Sequence, residues 1–353
     1  MATNQRKRGA ALRSSMRLLI CAQAVDKNDP ALGFFHRWIE ELASHFERIT
    51  VVCLRSGEHA LPDNVEIVTL GGHLRFLRAL EVCSFAFGRR SEYEAVFVHM
   101  SQEYVLAAGW LWKLLGKRIY MWRNHYAGSV LTDIAAAFCT KVFCTSRFSY
   151  TAKYKKSVRM PVGIDTKVFK PLPEIARRPR SILFFARIAP SKRPELLLEA
   201  LGVLGKRDVQ YTATLCGPGE SSYVESLRRK AHALGIGERL QFLPGLPHSE
   251  APRIFNAHEL FVNLSPSGMF DKTIFEAMAC GCTLLVRSKD LQPLLDERSF
   301  CATDKVEDVA DAIERLLQLG EGEKRRIVGQ NRGIVAENSL DTLRERIVYE
   351  LKQ

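Results

Sequence analysis

The sequence predicts an α/β protein built from two doubly wound, mostly parallel sheets in tandem, and three observations carry that prediction. Its 353 residues exceed one ordinary domain and suit two. Short, continuously apolar runs alternate with helical stretches, the pattern of a parallel sheet covered by helices on both faces. A stretch with four prolines and no helical period, PVGIDTKVFKPLPEIARRP (161–179), splits the alternation into two series. The expected domains are therefore 1–165 and 166–353.

In the first series RLLICAQAV (17–25) reads as a strand, and GFFHRWIEELASHF (33–46) as a helix whose Phe34, Trp38, Leu42 and Phe46 share a face. ITVVCL (49–54) and VEIVTL (65–70) follow as strands. AVFVHM (95–100) and RIYMW (118–122) bracket the helical QEYVLAAGWLWKLLG. KVFCT (141–145) leads into SRFSYTAKY, with Ser146 as its expected N-cap. After the interruption come the strand SILFFAR (181–187), the helix PELLLEALGVLG (194–205), the strand YTATLCG (211–217) and a helix to about Ala233. RLQFLPG, ELFVNLS and TLLVRS continue as strands, and three helices near 306–319, 322–337 and 339–352 close the chain.

Composition narrows the class. With 46% hydrophobic and 25% charged residues the chain has the make-up of a soluble globular protein. No apolar run approaches the ~20 residues of a membrane span. The basic N-terminus lacks the apolar core of a secretory signal. Nine scattered cysteines fit no zinc or redox spacing and suit a reducing cytoplasm. The net charge of +12 is uneven: residues 1–165 hold 23 Lys and Arg against 14 Asp and Glu, leaving only +3 for the remainder. Such asymmetry points to an anionic partner, or to a merely solubilising excess.

Open parallel sheets bind ligands at the carboxyl ends of their strands, and two such units joined by one linker are expected to face each other across a cleft. Neither GxGxxG nor GxxxxGK[ST] is present, so the ordinary dinucleotide and P-loop readings lose support. Polar residues do gather after the second-series strands. Arg187 and Lys192 share a strand-to-helix turn that suits a diphosphate, although solvated loop cations would look the same. Gly217 and Gly219 in LCGPGE allow close backbone approach. SPSGMFDKTIFEAMACG (265–281) turns and enters a helix near Phe270 or Asp271, with the lone acid Glu276 among apolar neighbours. Helix-start amides at such a turn suit phosphate or sugar oxygens, and a carboxylate suits the diol of a ribose.

These stretches resemble the family 4 retaining glycosyltransferases of GT-B architecture. PVGIDTKVFKP, FFARIAPSKRPELLLEAL, LCGPGE, ERLQFLPGL and SPSGMFDKTIFEAMACG agree in order and spacing, and DPALGFFHRWIEELA is similar to a bacterial subgroup. The resemblance covers residues 17–335 and implies two Rossmann-like domains, an acceptor-binding one followed by a donor-binding one. It implies transfer of a sugar from a UDP- or GDP-linked donor to an acceptor hydroxyl, with no cofactor and no metal. Arg187 and Lys192 match the pair that neutralises the donor diphosphate, and Glu276 the acid that holds the ribose. Gly217 and Gly219 match the loop beside the nucleotide, and Gly268, Met269, Phe270, Asp271, Lys272 and Thr273 the helix start that meets phosphate and sugar. The family usually has a second glutamate where this chain has Gly268. Asp271 and Lys272 are candidates to replace it, and the donor sugar stays open.

The acceptor is expected on the first unit. His99 ends one strand, and Arg123, Asn124 and His125 follow the next. The resemblance implies a histidine near the reacting sugar, with His99 and His125 as candidates and a structural histidine as the alternative for each. Asp26 to Gly33 match the loop that shapes the acceptor pocket, with an ordinary polar loop as the alternative. The resemblance also implies front-face attack, with the donor phosphate accepting the proton. HLRFLRALEVCSFAFGRR (73–90) mixes apolar rings with arginines, either as a segment for an anionic membrane surface or as an ordinary packed helix. The first reading places the protein on the inner face of the cell membrane with a lipid-linked acceptor, in polysaccharide or glycolipid synthesis. The competing classes are a non-catalytic nucleotide- or glycan-binding protein, supported by Gly268, a sugar-nucleotide epimerase of the same architecture, and a nucleic-acid binder, which lacks an aromatic-basic RNA motif.

Overall fold

The computed structural model describes residues 14–29, 32–72, 74–268 and 270–353. The basic N-terminal residues 1–13, two residues of the Asp26–Gly33 loop, His73 and Met269 lie outside them. The chain forms two compact units, one of residues 14–144, 149–160 and 344–353, the other of 145–148 and 161–343. The border thus falls slightly before the expected one. The last ten residues belong to the first unit, where Arg344 pairs with Glu41 at 2.9 Å and Glu350 with Lys141 at 2.7 Å.

The first unit runs β1 (Ser14–Val25), α1 (Gly33–Ala43), β2 (Phe46–Ser56), β3 (Val65–Thr69), α2 (Arg75–Gly88), β4 (Ala95–His99), α3 (Gln102–Leu114), β5 (Arg118–Trp122), α4 (Val130–Phe138), β6 (Lys141–Cys144) and β7 (Ser157–Arg159). Its seven strands pair in parallel in the order β3-β2-β1-β4-β5-β6-β7. Two elements of this unit escaped the sequence reading, as did the short helix at Ala251–Ala257 in the second unit. One is α4, entered through a capping box of Ser129 and Thr132, and the other is the three-residue β7. The expected helix at Ser146 is instead a turn followed by a 3₁₀ segment at Tyr150–Lys153. Ser146 caps no helix, because its hydroxyl donates to Asp290 Oδ2 at 2.7 Å.

The second unit runs β8 (Arg178–Phe185), α5 (Pro194–Lys206), β9 (Thr212–Cys216), α6 (Ser221–Ala233), β10 (Leu240–Leu243), α7 (Ala251–Ala257), β11 (His258–Asn263), α8 (Lys272–Ala279), β12 (Thr283–Val286), α9 (Val306–Leu317) and α10 (Glu321–Glu337). The helix α11 (Leu340–Lys352) ends the chain. The five strands are parallel in the order β10-β9-β8-β11-β12. Their continuous apolar runs bury both faces, since successive side chains point to opposite sides. Ile182, Phe184, Leu260, Val262 and Leu285 pack with α5 and α9. Their neighbours Leu183, Phe261, Leu284 and Val286 pack with α7 and α8.

In each sheet the chain leaves in one direction, then returns to the other side of its starting strand. That reversal lies between β1 and β4 in the first sheet and between β8 and β11 in the second. The loops leaving those strands diverge and open a crevice.

Candidate active site

The second crevice is bounded by the loop after β8 (186–193), the loop after β9 (217–220) and the loop after β11 (264–271). Lys192 ends a 3₁₀ turn over Pro190–Lys192, and the next residue, Arg193, adopts a left-handed φ of 58° before α5 begins. This tight reversal points Lys192 inward and leaves it 7% exposed. Its ammonium pairs with Asp271 Oδ1. The other carboxylate oxygen of Asp271 accepts from Asn263 Nδ2 at 2.9 Å and from Ser265 Oγ at 2.6 Å. Burial opposes ionisation of Asp271, but Lys192 and these donors outweigh it and hold the carboxyl below the usual carboxylate range.

Asp271 is also the residue before the first turn of α8, yet its side chain caps none of the helix amides. One and a half turns on, Glu276 is 3% exposed, and its Oε1 meets His248 Nε2 at 3.0 Å. His248 packs against the Phe169 ring, centroids 4.9 Å apart. The buried acid that stood alone in the sequence therefore has a partner, supplied by a loop the sequence reading left without a role. Asn263 and Asp290 were missed as well. Asp290 Oδ2 accepts the Gly268 N–H at 3.3 Å and so anchors the turn.

The departure at position 268 has a backbone reason. Gly268 has φ of 88°, a left-handed conformation that glutamate adopts only under strain. Phe270 follows with φ of 36°, a strained value of the kind that concentrates at functional sites. Both candidate replacements already have partners. The Asp271 carboxylate is engaged by Lys192, Asn263 and Ser265. Lys272 donates to the carbonyls of Val162 at 2.8 Å and Gly163 at 2.7 Å. Burial pushes the Lys272 ammonium down to about 7, with Glu276 acting in the opposite sense. Thr273 Oγ1 is buried with no hydrogen-bond partner among the described residues.

Arg187 is exposed and makes no ion pair among the described residues. It lines a cavity of about 470 Å³ with Pro190, Pro218, Gly219, Glu220 and Tyr223. The loops after β8 and β9 run together here: Ile188 N–H donates to Pro218 O at 2.8 Å, and Ile188 bridges to Gly219. A Cβ on Gly217, whose φ is 154°, lies 1.9 Å from Ala186 O, so only glycine fits. A larger cavity, about 890 Å³, lies at the opposite ends of the strands beside Arg177, Glu259 and Lys324, away from all these groups.

In the first unit His99 ends β4 but is 3% exposed. Its ring stacks on Phe35 at 4.0 Å and meets Phe34, Trp38 and Trp122 at 5.9, 5.5 and 6.3 Å. That setting favours the structural role over contact with a substrate. His125 is half-buried; its Nδ1 accepts the Ala127 N–H at 2.9 Å while its ring stacks on Tyr126. Arg123 donates to Ala127 O at 3.0 Å, and its buried Nε finds no acceptor among the described residues. Asn124 lies between them, half-buried. Asp26 Oδ1 accepts from Asn28 N–H at 2.9 Å, and the Gly33 N–H closes the loop onto Asp29 O at 2.9 Å.

Residues 166–332 match the model of the glycosyl transferases group 1 family. The chain is 30% identical over 180 residues to the D-inositol 3-phosphate glycosyltransferases of Mycobacterium bovis and Mycobacterium tuberculosis. That stretch is 48% of this chain and 37% of those relatives, so the match spans little more than a third of their length. Among solved structures, Anabaena Alr3699/HepE in complex with UDP and glucose superposes with a TM-score of 0.77 at 19% identity, over 96% of this chain and 99% of that one. Sucrose-phosphate synthase of Thermosynechococcus elongatus superposes with a TM-score of 0.78 at 15% identity, over 95% and 98%. The fold is that of the GT-B glycosyltransferases, as the sequence predicted.

Proposed function

From a second unit that matches the group 1 glycosyltransferases on a GT-B fold, we propose that the chain transfers a sugar, with retention, from a nucleoside diphosphate sugar to an acceptor hydroxyl. The observation that carries this reading is the pair of buried charged side chains, Lys192 and Glu276, where the β8 and β11 loops diverge. Buried charges are costly unless a partner or a ligand repays them, and this site offers one cation for phosphate and one acid for a diol. Arg187 supplies a second cation from the same loop. As the bond to the sugar breaks, negative charge grows on the departing diphosphate, and Lys192 and Arg187 stabilise it most at that point. The acceptor hydroxyl attacks from the same face and passes its proton to the departing phosphate oxygen. HepE in complex with UDP supports the donor class.

Calorimetric titration of UDP, GDP and ADP, with Glu276→Ala alongside, tests the donor assignment. Selective binding of one nucleotide, weakened at least tenfold by the substitution, is the expected result. Absence of binding by all three sinks it. Saturable binding without transfer to any acceptor favours the non-catalytic alternative instead.

The same reading places the acceptor on a lipid at an anionic membrane surface. Only Val82 and Ala86 of α2 are buried, while Phe76, Leu80 and Phe87 are 61%, 61% and 55% exposed among the exposed Arg75 and Arg90. On the adjacent α3, Trp110 and Leu114 are exposed beside Lys113. Apolar rings interleaved with cations suit the headgroup boundary of an acidic bilayer. No helix among the described residues is long and apolar enough to cross a membrane. Co-sedimentation with vesicles containing phosphatidylglycerol, but not with neutral vesicles, is expected, and Phe76→Glu with Leu80→Glu should abolish it. Equal recovery of that double variant argues for a free acceptor.

A further inference from the structure

We propose that Asp271 is a positioning residue for Lys192, its resident counter-anion, which fixes the ammonium in the crevice and sets how strongly a donor diphosphate is held. The inference rests on the donor-site reading above and adds a residue that the resemblance gave only as a possible sugar contact.

The geometry is specific. Lys192 comes from the loop after β8 and Asp271 from the loop after β11, so their contact closes the crevice where the two loops diverge. Asp271 is itself held by groups independent of Lys192. Asn263, at the end of β11, and Ser265, two residues on, both donate to its Oδ2, leaving Oδ1 aimed at the ammonium. Asn263 Oδ1 also accepts the Ser265 N–H at 3.1 Å, so the three side chains form one connected bracket. A carboxylate with both oxygens engaged and no bond to its own helix is not placed to read sugar hydroxyls.

Two consequences follow with opposite signs. The bracket stops the lysine, 8% exposed along its side chain, from swinging among rotamers, so the cation is in place before the donor arrives. The same carboxylate also compensates the positive charge, so an incoming diphosphate meets a partly neutralised cation and is held less tightly than by a bare lysine. Lys192 keeps two further N–H groups for phosphate. Its pull on the diphosphate grows as charge develops there, and so does the repulsion from Asp271. The arrangement therefore gives up affinity for the donor, and its gain in turnover comes from an ammonium already held in place.

The test is the sign of an affinity change. Asp271→Asn retains the shape and removes the charge. Calorimetry with UDP, or whichever nucleoside diphosphate the unaltered protein binds best, should show the dissociation constant fall by about tenfold, with kcat for transfer reduced. The thermal shift on adding nucleotide should be larger for Asp271→Asn than for the unaltered protein, because ligand then supplies the missing counter-charge. Ser265→Ala loosens the bracket with both charges kept. It should move the dissociation constant less than twofold while lowering kcat severalfold, and it serves where Asp271→Asn does not fold. Unchanged or weakened nucleotide binding in Asp271→Asn, or an unchanged kcat in Ser265→Ala, overturns the inference and leaves the donor site standing. Absence of nucleotide binding by the unaltered protein, with Lys192→Ala indistinguishable from it, overturns both.

Discussion

The two sheets reverse direction in the same way and fill the resulting crevices with opposite chemistry. In the first, the side chain at the end of β4 is His99, enclosed by Phe35, Trp38 and Trp122. In the second, the residues around the ends of β8 and β11 are the buried Lys192 and Glu276 and the part-buried Asp271. Aromatic packing stabilises the folded chain outright, whereas buried charges are held only by the partners they keep. The ring at the end of β4 is thus held by aromatic packing, and the second crevice carries charges that the fold must compensate.

The largest expected effect tests that contrast directly. Lys192→Ala removes one member of a buried pair and leaves Asp271 uncompensated, which should cost about 3 kcal/mol of unfolding free energy. His99→Phe keeps an aromatic ring in the aromatic enclosure and should cost less than Lys192→Ala. Urea unfolding of both variants, followed by fluorescence, reads the difference. Equal losses break the comparison, and loss of transfer activity in a stable His99→Phe returns that histidine to the chemistry.

Next in size is Gly217→Ala. The added carbon lies 1.9 Å from Ala186 O at a φ that L-residues rarely adopt, so the loop after β9 has to move away from the loop after β8. A loss of roughly 2 kcal/mol is expected, with nucleotide affinity falling as the two loops part. Retained affinity in this variant shows that the loop pair does not shape the donor crevice.

A smaller effect depends on pH. The ammonium of Lys272 is depressed to about 7 by burial, while the unfolded chain titrates near its ordinary value. Below pH 7 both states are protonated and the folded state bears the full penalty. As pH rises above 7 the folded state sheds the proton first, so stability contributed at this position increases until the unfolded chain also titrates. Compared with Lys272→Met, the unaltered protein should gain up to about 1 kcal/mol per pH unit between 7.5 and 9. A stability difference flat across that range places the ammonium in water.

Much of this contrast was legible in sequence, and the rest was hidden for definite reasons. The strands and the Glu276 helix announced themselves through unbroken apolar runs and one conspicuous acid. The fold followed from their alternation. What compensates the charges did not, because Lys192 and Asp271 lie 79 positions apart on loops without periodicity, and His248, also on a loop, lies 28 positions from Glu276. Gly268 read as a lost contact until its positive φ showed a turn that requires glycine. The return of residues 344–353 to the first unit was equally invisible, since α11 has the same helical pattern whichever unit it packs on.

The finest discrimination between a site compensated by the fold and one completed by a ligand comes from Thr273. Its hydroxyl is buried on the first turn of α8 without a partner among the described residues, beside Asp271 and one turn before Glu276. An unsatisfied buried hydroxyl costs about 1 kcal/mol or more, and Val has the same shape without it. Thr273→Val should therefore leave stability unchanged or raise it by up to about 1 kcal/mol. If the hydroxyl is kept for a phosphate or sugar oxygen of the donor, the same variant should bind the intact nucleotide sugar several-fold more weakly. Titrating both the nucleoside diphosphate and its sugar conjugate locates the contact. Weakening of both places it on the diphosphate, weakening of the conjugate alone places it on the sugar, and a stability loss with affinity unchanged means the hydroxyl serves the fold.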